Sequence, residues 1–454
     1  MQLVTTPTTT DVDPNAKLRT DLAQIRAKIA ALESQLVALR EEERRVSTAL
    51  DSIVYPILTL PLDITSEIFT HYLDPVCSQW RSIALASPGL WPALHTGKPT
   101  GSSLINPVDI LRSRLARVGG LPLWIDTLLH LASQSHAILP VLAPYFPQLL
   151  NLSLEVEGGF DFPCDPSSGE PVSLPSLTEL DLRAVRWSHG RIVLPPAPHL
   201  REASLHELGL GEMSLPWNQL TTLTLHNQSM RRCRSILRET PNLTKLHVTA
   251  HTDMEVLSNI VRLDRLRALT VNGTYLLLSL VTPALESLEI QDFHFGASAV
   301  ERMIIRSSCT IRSLHLHSCA TSSEIETVLT AVPTLRALVF SGSIADVSGG
   351  DWELLLYPIA VGTLLPAMES LEFRDIDGEI PNQCIARMLS VRGQAEQYEW
   401  VRRIKSFKYI QSKEDGGDKG RIGRALADLA ALRAQGMEIE LEWGPKWLKD
   451  LWAA

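Results

Sequence analysis

Four stretches of this chain share one pattern: LPSLTELDLRA (174–184), PNLTKLHVTA (241–250), PALESLEIQD (283–292) and PTLRALVFSG (333–342). Each contains a proline turn, after which leucines or other apolar residues alternate with polar residues. This alternation predicts a short β-strand with one buried and one exposed face. Because related stretches recur along most of the chain, these repeats decide the fold.

The first apolar residue of each predicted strand, here called the lead residue, recurs at intervals of 23, 20, 23, 23, 19, 26, 24 and 33 residues. All but the last interval fall in or next to the leucine-rich-repeat period of roughly 20–29 residues. The last interval spans a Gly/Ser-rich insertion at 341–352, and a similar loop at 157–171 follows an earlier strand beginning at Leu152–Leu154. The lead residues are Leu180, Ala203, Leu223, Leu246, Leu269, Leu288, Leu314, Leu338 and Leu371.

The residues one and three places after each lead residue are predicted to point into solvent, since successive side chains of a strand alternate between its faces. They are polar in every repeat except the one with Val339, which is half apolar. The outward pairs are Asp181/Arg183, Ser204/His206, Thr224/His226, His247/Thr249, Thr270/Asn272, Glu289/Gln291, His315/His317, Val339/Ser341 and Glu372/Arg374.

Parallel strands stacked in this way form a ribbon with an extended concave surface, which is the predicted binding surface for a protein partner. We expect His226, His247, Asn272, Gln291 and His317 to be aligned by stacking, about 4.8 Å apart from one repeat to the next. A merely solvated strand face is the alternative for any single residue. The predicted partner-binding residues are His206, His226, His247, Asn272, Gln291, His315 and His317.

Helices of irregular length are expected on the convex side of the repeats. Met230–Glu239 and Ser322–Val332 have helical patterns, and Arg421–Ala434 with Met437–Trp443 reads as a last helix and strand. The predicted fold class is therefore α/β, a leucine-rich-repeat solenoid of short parallel strands and irregular helices over residues 98–454.

A second periodic stretch, residues 16–54, follows a Thr/Pro-rich tail at 1–15 that is predicted to be disordered. Its apolar residues alternate at spacings of four and three, only Glu43 breaks the series, and no Gly or Pro interrupts it. Such a series predicts a coiled-coil helix. Self-association and back-folding onto the same chain are both open. The series is Leu18, Leu22, Ile25, Ile29, Leu32, Leu36, Leu39, Val46, Leu50 and Ile53.

Residues 55–97 contain two short helical patterns, the first ended by Pro75, which bars Asp74 from helical geometry. This segment resembles an F-box, and specifically the F-box of the expanded families found in mushroom-forming fungi. The matching motifs are Leu60-Pro61-x-x-Ile64 with Ile68-Phe69, then Val76-Cys77-x-x-Trp80-Arg81, then Pro88-x-Leu90-Trp91.

The resemblance implies docking to the Skp-type adaptor of a cullin–RING ubiquitin ligase of the SCF type, with the downstream repeats selecting a protein substrate. The F-box is shortened, because only Asp74-Pro75 separates its two helical patterns where the family has a further helix-length segment. The adaptor-docking residues implied by the resemblance are Leu60, Pro61, Ile64, Ile68, Phe69, Val76, Trp80 and Trp91.

Net charge, cysteine spacing and the distribution of apolar residues each disfavour some classes of protein. The net charge of −9 disfavours general nucleic-acid binding. The six cysteines form no CxxC pair, which is typical of reduced thiols in a cytoplasmic or nuclear protein. Neither a secretory signal nor a membrane span is predicted.

No catalytic, cofactor-binding or metal-binding residue is predicted. His315-x-His317 places two imidazoles on one strand face, but no carboxylate or cysteine lies beside them in sequence on that face. The sequence therefore predicts a non-catalytic substrate-recognition adaptor of an SCF-type ligase. The alternative is a repeat-based interaction scaffold that has lost ligase docking, and an enzyme with an unrecognised site is a distant third.

Overall fold

A computed structural model gives the structure of the chain, and its contacts divide the chain into two units, residues 1–85 and 86–454. The residues that the structure describes are 14–51, 91, 93–95, 107–127, 135–157, 160–162, 172–186, 192–207, 213–251, 260–291, 296–317, 321–343, 349–377, 382–393, 401–411, 432–434 and 436–443.

The described part of the first unit is a single helix, α1 (Pro14–Asp51), of 38 residues. Pro14 occupies the first turn, where its missing N–H is not needed. The helix therefore covers nearly all of the stretch predicted to be a coiled coil. Its apolar stripe is exposed, from 47 % at Leu36 to 70 % at Leu39.

The second unit is built on one large parallel sheet, in which the described residues form 14 strands. Each strand pairs with the next one along the chain, so spatial order equals sequence order. This architecture is mixed α/β and compatible with an α/β solenoid. The strands are β1 (Ala93–His95), β2 (Leu123–Thr127), β3 (Leu149–Glu157), β4 (Glu179–Arg186), β5 (Glu202–His206), β6 (Thr222–Ser229), β7 (Lys245–His251), β8 (Ala268–Asn272), β9 (Ser287–Ile290), β10 (Ser313–His317), β11 (Ala337–Ser343), β12 (Ser370–Asp377), β13 (Ser406–Gln411) and β14 (Glu438–Trp443).

The register of the sheet follows the lead residues. From Leu180 to Leu371 each lead residue is the direct partner of the next, and all nine are at most 3 % exposed. The apolar residue two places later is equally buried, as Leu225 and Val271 illustrate. A shift of the strand pairing by one residue would move all of these apolar side chains from the core to the solvent-exposed face. The apolar pattern therefore fixes the register.

A recurring turn leads the chain into eight of the nine strands that carry lead residues. Leu177 donates its backbone N–H to the Leu174 carbonyl, and Leu243 and Leu335 repeat this three-residue closure onto Thr240 and Val332. The prolines of the repeat pattern lie inside these turns, where a fixed φ favours the turn and no N–H is required. The turn therefore gives the apolar–polar alternation a fixed starting point in these eight repeats.

Helices connect many of the strands. In α5 the Schellman-type end at Ser308, which has a left-handed backbone, closes the last turn. Helix α6 begins with a capping box between Thr321 and Glu324. The helices are α2 (Pro107–Val118), α3 (Ser135–Leu142), α4 (Met230–Glu239), α5 (Ala297–Ser307), α6 (Ser322–Ala331), α7 (Gly349–Val361) and α8 (Asn382–Gly393).

Short elements complete the connections. The 3₁₀ helices are Ala143–Gln148, Trp217–Gln219 and Thr274–Ser279. Two-residue parallel strands form two further ladders, Phe160–Asp161 with Ile192–Val193 and Met213–Ser214, and Val261–Arg262 with Leu280–Val281. The predicted irregularity of the connecting side is thus observed, and the predicted helices at Met230–Glu239 and Ser322–Val332 are confirmed to within one residue.

The core runs as one apolar cluster from Val108 to Ile439. Toward the C-terminus its leucines give way to stacked aromatics, with the Phe340 and Phe373 rings 5.5 Å apart and Trp352 against both. The core also encloses Arg392 of α8, which is fully buried. Its guanidinium donates to the carbonyls of Ile359, Leu365, Pro366 and Arg402.

Several sequence predictions need correction. Ala93–His95 was assigned to the helical segment 55–97 but forms strand β1, paired with β2. Strand β13 was not predicted, and the earlier strand expected at Leu152–Leu154 extends over Leu149–Glu157. Of the predicted last helix, Arg421–Ala434, the structure describes only residues 432–434, which are helical. Of the rest of segment 55–97, it describes only Trp91.

Candidate functional site

The exposed face of the sheet consists of the side chains one and three places after each lead residue, as predicted. Among its eighteen members from Asp181 to Arg374 only Ser341 is buried, at 4 % exposure. The members that follow the lead residue by one place make row one, and those that follow by three places make row three. Each row runs across neighbouring strands, as in His206↔His226↔Thr249↔Asn272.

The row assignment corrects one prediction. His226 lies in row three beside Thr249, whereas His247 lies in row one beside Thr224. The predicted single line of partner residues is therefore two lines, because His226 follows its lead residue by three places and His247 by one. The two imidazoles still meet diagonally, with ring centroids 5.0 Å apart.

Three histidines form a stacked column on β5, β6 and β7. The rings of His206 and His226 are nearly parallel, 4.2 Å apart at an angle of 20°. His247 continues the column at a tilt of 50° to His226. Asp181 anchors one end, since its carboxylate lies 3.3 Å from His206 Nε2 and accepts from Arg183 Nη2 at 2.8 Å.

Two of the three imidazoles, those of His226 and His247, are favoured in their neutral form. Burial, with His206 and His247 close by, lowers the pKa of His226 to about 4. Burial likewise lowers the pKa of His247, although Glu289 opposes the shift. For Asp181, burial raises the pKa, but the hydrogen bonds with His206 and Arg183 outweigh it and hold that pKa below its ordinary value. The anchor is therefore an anion, while His226 and His247 are uncharged at neutral pH.

A second cluster, the serine-bridged pair, lies on β9, β10 and β11. The Ser341 hydroxyl is 2.7 Å from both His315 Nε2 and His317 Nδ1, and Glu289 Oε1 is 3.6 Å from His315 Nδ1. A hydroxyl has one proton, so Ser341 donates to one imidazole while it accepts from the other. Burial lowers the pKa of His315, with Glu289 opposing.

The order carboxylate, imidazole, hydroxyl is that of a serine-hydrolase triad. Three features of the serine-bridged pair disfavour acyl transfer. Ser341 is only 4 % exposed, which restricts the approach of a substrate carbonyl to its Oγ, and a second imidazole, that of His317, lies 2.7 Å from the same oxygen. The carboxylate contact of 3.6 Å also exceeds hydrogen-bond length. The cluster is a fixed polar network on the exposed face.

No carboxylate lies beside His315 and His317 in the sequence, as stated above. In the structure, however, the Glu289 carboxylate of the neighbouring strand lies 3.6 Å from His315 Nδ1. Within the described ranges no group of three His, Cys, Asp or Glu side chains could hold a metal ion. A polar atom of the face does lack a partner: His247 Nε2 is buried without a hydrogen bond. Such an atom is costly to leave unpaired.

The cations of the face are neutralised within it. Arg374 pairs with Glu372 at 2.5 Å, two places earlier on the same strand, as Arg183 pairs with Asp181. Lys408 pairs with Glu440 across β13 and β14 at 2.5 Å. The middle of the face therefore presents mainly imidazole, amide and hydroxyl groups, and Lys245 lies exposed on the same side of the sheet, one place before its lead residue.

The sequence reasoning missed a bend that lies at the end of some strands and inside others. The residue four places after the lead has positive φ in five repeats, at Glu207, Asn227, Gly273, Gly342 and Asp375. Glycine adopts this conformation freely, and Asn and Asp tolerate it. At Asn227 the extra residue forms a bulge, and its backbone N–H donates to Thr249 Oγ1. The recurrence of Gly, Asn and Asp at this place was the available signal.

Of the eight predicted adaptor-docking residues, the structure describes only Trp91. Trp91 is half-buried against the core of the second unit, with the Arg117 guanidinium 5.0 Å above its ring. The remaining seven, which lie outside the described residues, are Leu60, Pro61, Ile64, Ile68, Phe69, Val76 and Trp80.

Comparison with protein-family models and with curated proteins gives no match to this chain. In the part of the chain that the structure describes, no helix has both the length and the apolar character needed to cross a bilayer.

Proposed function

We propose that this chain is a non-catalytic substrate-recognition adaptor of an SCF-type ubiquitin ligase. The exposed face of a leucine-rich-repeat sheet holds a protein substrate, and residues 55–97 dock the Skp-type adaptor. The alternative is a leucine-rich-repeat scaffold that binds proteins in the same way without docking to a ligase.

One feature of the described residues supports protein binding most directly. Of the fourteen parallel strands in sequence order, the nine from Glu179–Arg186 to Ser370–Asp377 carry outward pairs that are polar except at Val339. A partner laid across these strands meets one new pair of side chains about every 4.8 Å. A surface of this kind can bury the roughly 800 Å² per side of a standard protein interface without a deep pocket.

The chemistry of the face fits adaptable recognition of a polypeptide. Uncharged imidazoles both donate and accept hydrogen bonds, and the amides of Asn272 and Gln291 do the same. Arg183 and Arg374 already pair with carboxylates, so their guanidinium groups are less available to phosphate than free cations are. A backbone with unpaired N–H and C=O groups is a suitable ligand for such a surface.

Ligase docking rests on sequence motifs alone, and these are Leu60-Pro61-x-x-Ile64 with Ile68-Phe69, Val76-Cys77-x-x-Trp80-Arg81 and Pro88-x-Leu90-Trp91. Co-purification of the chain with a Skp-type adaptor tests this part. Ile68→Asp should abolish the interaction, because a buried carboxylate without a partner is costly. If the natural chain fails to bind but a version with a full-length F-box binds, the shortening is the cause. Failure of both versions would leave the scaffold as the function.

Substrate capture is tested on the exposed face itself. Replacing His226, Asn272 and Gln291 together by Glu should remove most partners from a proximity-labelling list, since like charges replace adaptable hydrogen-bonding groups. The matched control places three Glu residues on the exposed helix positions Ser298, Thr327 and Thr330. Both variants should melt like the natural chain in circular dichroism. Loss of the same partners from both variants would show that the exposed face is not the binding surface.

A further inference from the structure

Helix α1 carries an apolar stripe that solvent reaches along its whole described length. Eight side chains of the stripe are between 47 % and 70 % exposed. So long a row of exposed apolar groups in water favours association. The eight residues are Leu18, Leu22, Ile25, Ile29, Leu32, Leu36, Leu39 and Val46.

The spacing assigns heptad positions to this stripe. Because Leu18 to Leu22 is a step of four and Leu22 to Ile25 a step of three, Leu18 occupies position d and Leu22 position a. The positions that flank the seam then follow. Position g is taken by Asp21, Lys28, Gln35 and Glu42, and position e by Arg19, Arg26, Glu33, Arg40 and Ser47.

The flanking charges distinguish the two ways of pairing α1 with a second copy. In a parallel, in-register pair, each g residue faces the e residue five places later on the other helix. Asp21 then faces Arg26, and Lys28 faces Glu33, which gives two attractive pairs on each side of the seam. Gln35 faces Arg40 and Glu42 faces Ser47, so no like charges meet at these positions.

Antiparallel pairing sets e positions against e positions and g positions against g positions. Aligned over the same residues, it places Arg26 opposite Arg40 twice and Glu33 opposite Glu33 once, while Lys28 faces Glu42 twice. The three like-charge contacts outnumber the two attractive ones, whereas the parallel pair has four attractive contacts and no repulsive ones. Like charges at these sites repel and select against that orientation. The charge pattern of α1 is thus complementary to a second copy of itself in one orientation.

We propose that α1 forms a parallel, in-register, two-stranded coiled coil with a second copy of this chain. Both chains then leave the coil at the same end, and the dimer carries two exposed faces. A partner with two copies of the recognised segment is captured by both faces, with an avidity above that of one face. This consequence rests on the proposed function, whereas the coil itself does not.

Charge reversal in the full chain tests the orientation. Lys28 and Glu33 have no charged neighbour three or four places away on their own helix, so exchanging them leaves intrahelical pairs unchanged. Lys28→Glu alone, and Glu33→Lys alone, should each raise the dimer dissociation constant about tenfold, since two attractive pairs become repulsive. The double variant should restore the natural value. Sedimentation equilibrium measures all four proteins.

The natural chain should sediment at twice 50.3 kDa. Glu43→Leu should tighten the dimer, because it removes the charged residue from position a. A monomer at high concentration, a trimer, or an unchanged dissociation constant for Glu33→Lys alone would overturn the parallel dimer, because an antiparallel pair only exchanges a Glu33–Glu33 contact for a Lys–Lys contact. Sedimentation equilibrium measures the mass of the purified chain without a binding partner. The absence of a dimer can therefore be distinguished from the absence of substrate or adaptor binding.

Discussion

Leu225 and His226 are consecutive residues of β6 on opposite sides of one sheet. On the inner side, every lead residue from Leu180 to Leu371 is buried and apolar, and the lead residues differ only in the volume and shape of their side chains. On the exposed face, the same strands carry a histidine column, a serine-bridged pair and internal ion pairs. The inner side therefore fixes the register, and the outer side is free to vary in chemistry without affecting the fold.

A carboxylate placed on the inner side and then on the outer side of β6 should give the largest difference in unfolding free energy. Leu225→Asp should cost more than about 4 kcal/mol of unfolding free energy and melt the neighbouring repeats, because its carboxylate would be buried without a partner. Thr224→Asp, the preceding residue on the exposed face, should change the same quantity by less than about 1 kcal/mol. Urea unfolding followed by circular dichroism measures both, and equal midpoints would show that the strand faces are assigned wrongly.

A second test concerns the cation that lies on the buried side. Arg392→Leu should lower the free energy of unfolding by about 3 kcal/mol, since the carbonyls of Ile359, Leu365, Pro366 and Arg402 would lose their donor. Burial lowers the pKa of Arg392 to about 10, so the guanidinium is still protonated at neutral pH.

The control for this test lies on the same helix. Arg387 is exposed and pairs with Glu353 at 3.4 Å, so Arg387→Leu should change stability by less than about 0.5 kcal/mol. Similar losses in thermal unfolding for both arginine variants would contradict a structural role specific to Arg392.

The serine-bridged pair predicts an intermediate effect on the exposed face. Ser341→Ala should cost about 2 kcal/mol, because His315 Nε2 and His317 Nδ1 both lose their partner. Ser313→Ala, a half-buried serine on the outward side of β10, serves as the matched control and should cost less than about 0.5 kcal/mol. Chemical denaturation of the two variants at pH 7.5 gives the comparison, and an unaffected Ser341→Ala variant would show that the bridge contributes no stability.

The histidine column predicts the smallest effect, a pH dependence. The pKa of His226 is about 4 in the folded chain against an ordinary 6.5, so the unfolded chain binds more protons between these values. The free energy of unfolding therefore falls as the pH drops from about 6.5 toward 4. The full shift corresponds to about 3 kcal/mol, which solvent screening of the half-buried ring reduces to about 1 kcal/mol.

Replacing His226 by Gln isolates this contribution, because the charged neighbours Asp181 and Arg183 and the imidazoles His206 and His247 remain. Unfolding measured at pH 7.5 and pH 5 should show a smaller loss for His226→Gln than for the natural chain. The same loss in both would assign the pH dependence to other groups.

The repeats show how far sequence reasoning reaches. Period and alternation predict nine buried lead residues correctly, because burial of an apolar face is a local property of a strand. The same reasoning does not bring together Glu289, His315 and Ser341, which lie 26 to 52 residues apart in sequence yet meet on three adjacent strands. It also assigns Ala93–His95 to a helical segment, since three residues are too few to show a period.

Arg392, on the buried side of the sheet, is a second residue whose contacts could not be predicted from the local sequence. Its pattern on α8 is that of an ordinary helical arginine, and nothing nearby in sequence indicates four carbonyl acceptors. Those acceptors come from the end of α7, from the turn that follows it and from Arg402. Only the packing of separate segments brings them around one guanidinium.

By itself, the sequence determined which side of each repeat strand is buried, the order of the strands, and the apolar stripe of α1 with its charged flanks. These properties depend on neighbours within a few residues, where side-chain spacing is set by covalent geometry. Tertiary structure alone decided the stacked imidazoles, the serine bridge, the two rows of the exposed face and the buried guanidinium. Each of these depends on the register between strands or segments, which the chain reaches only when its repeats pack against one another.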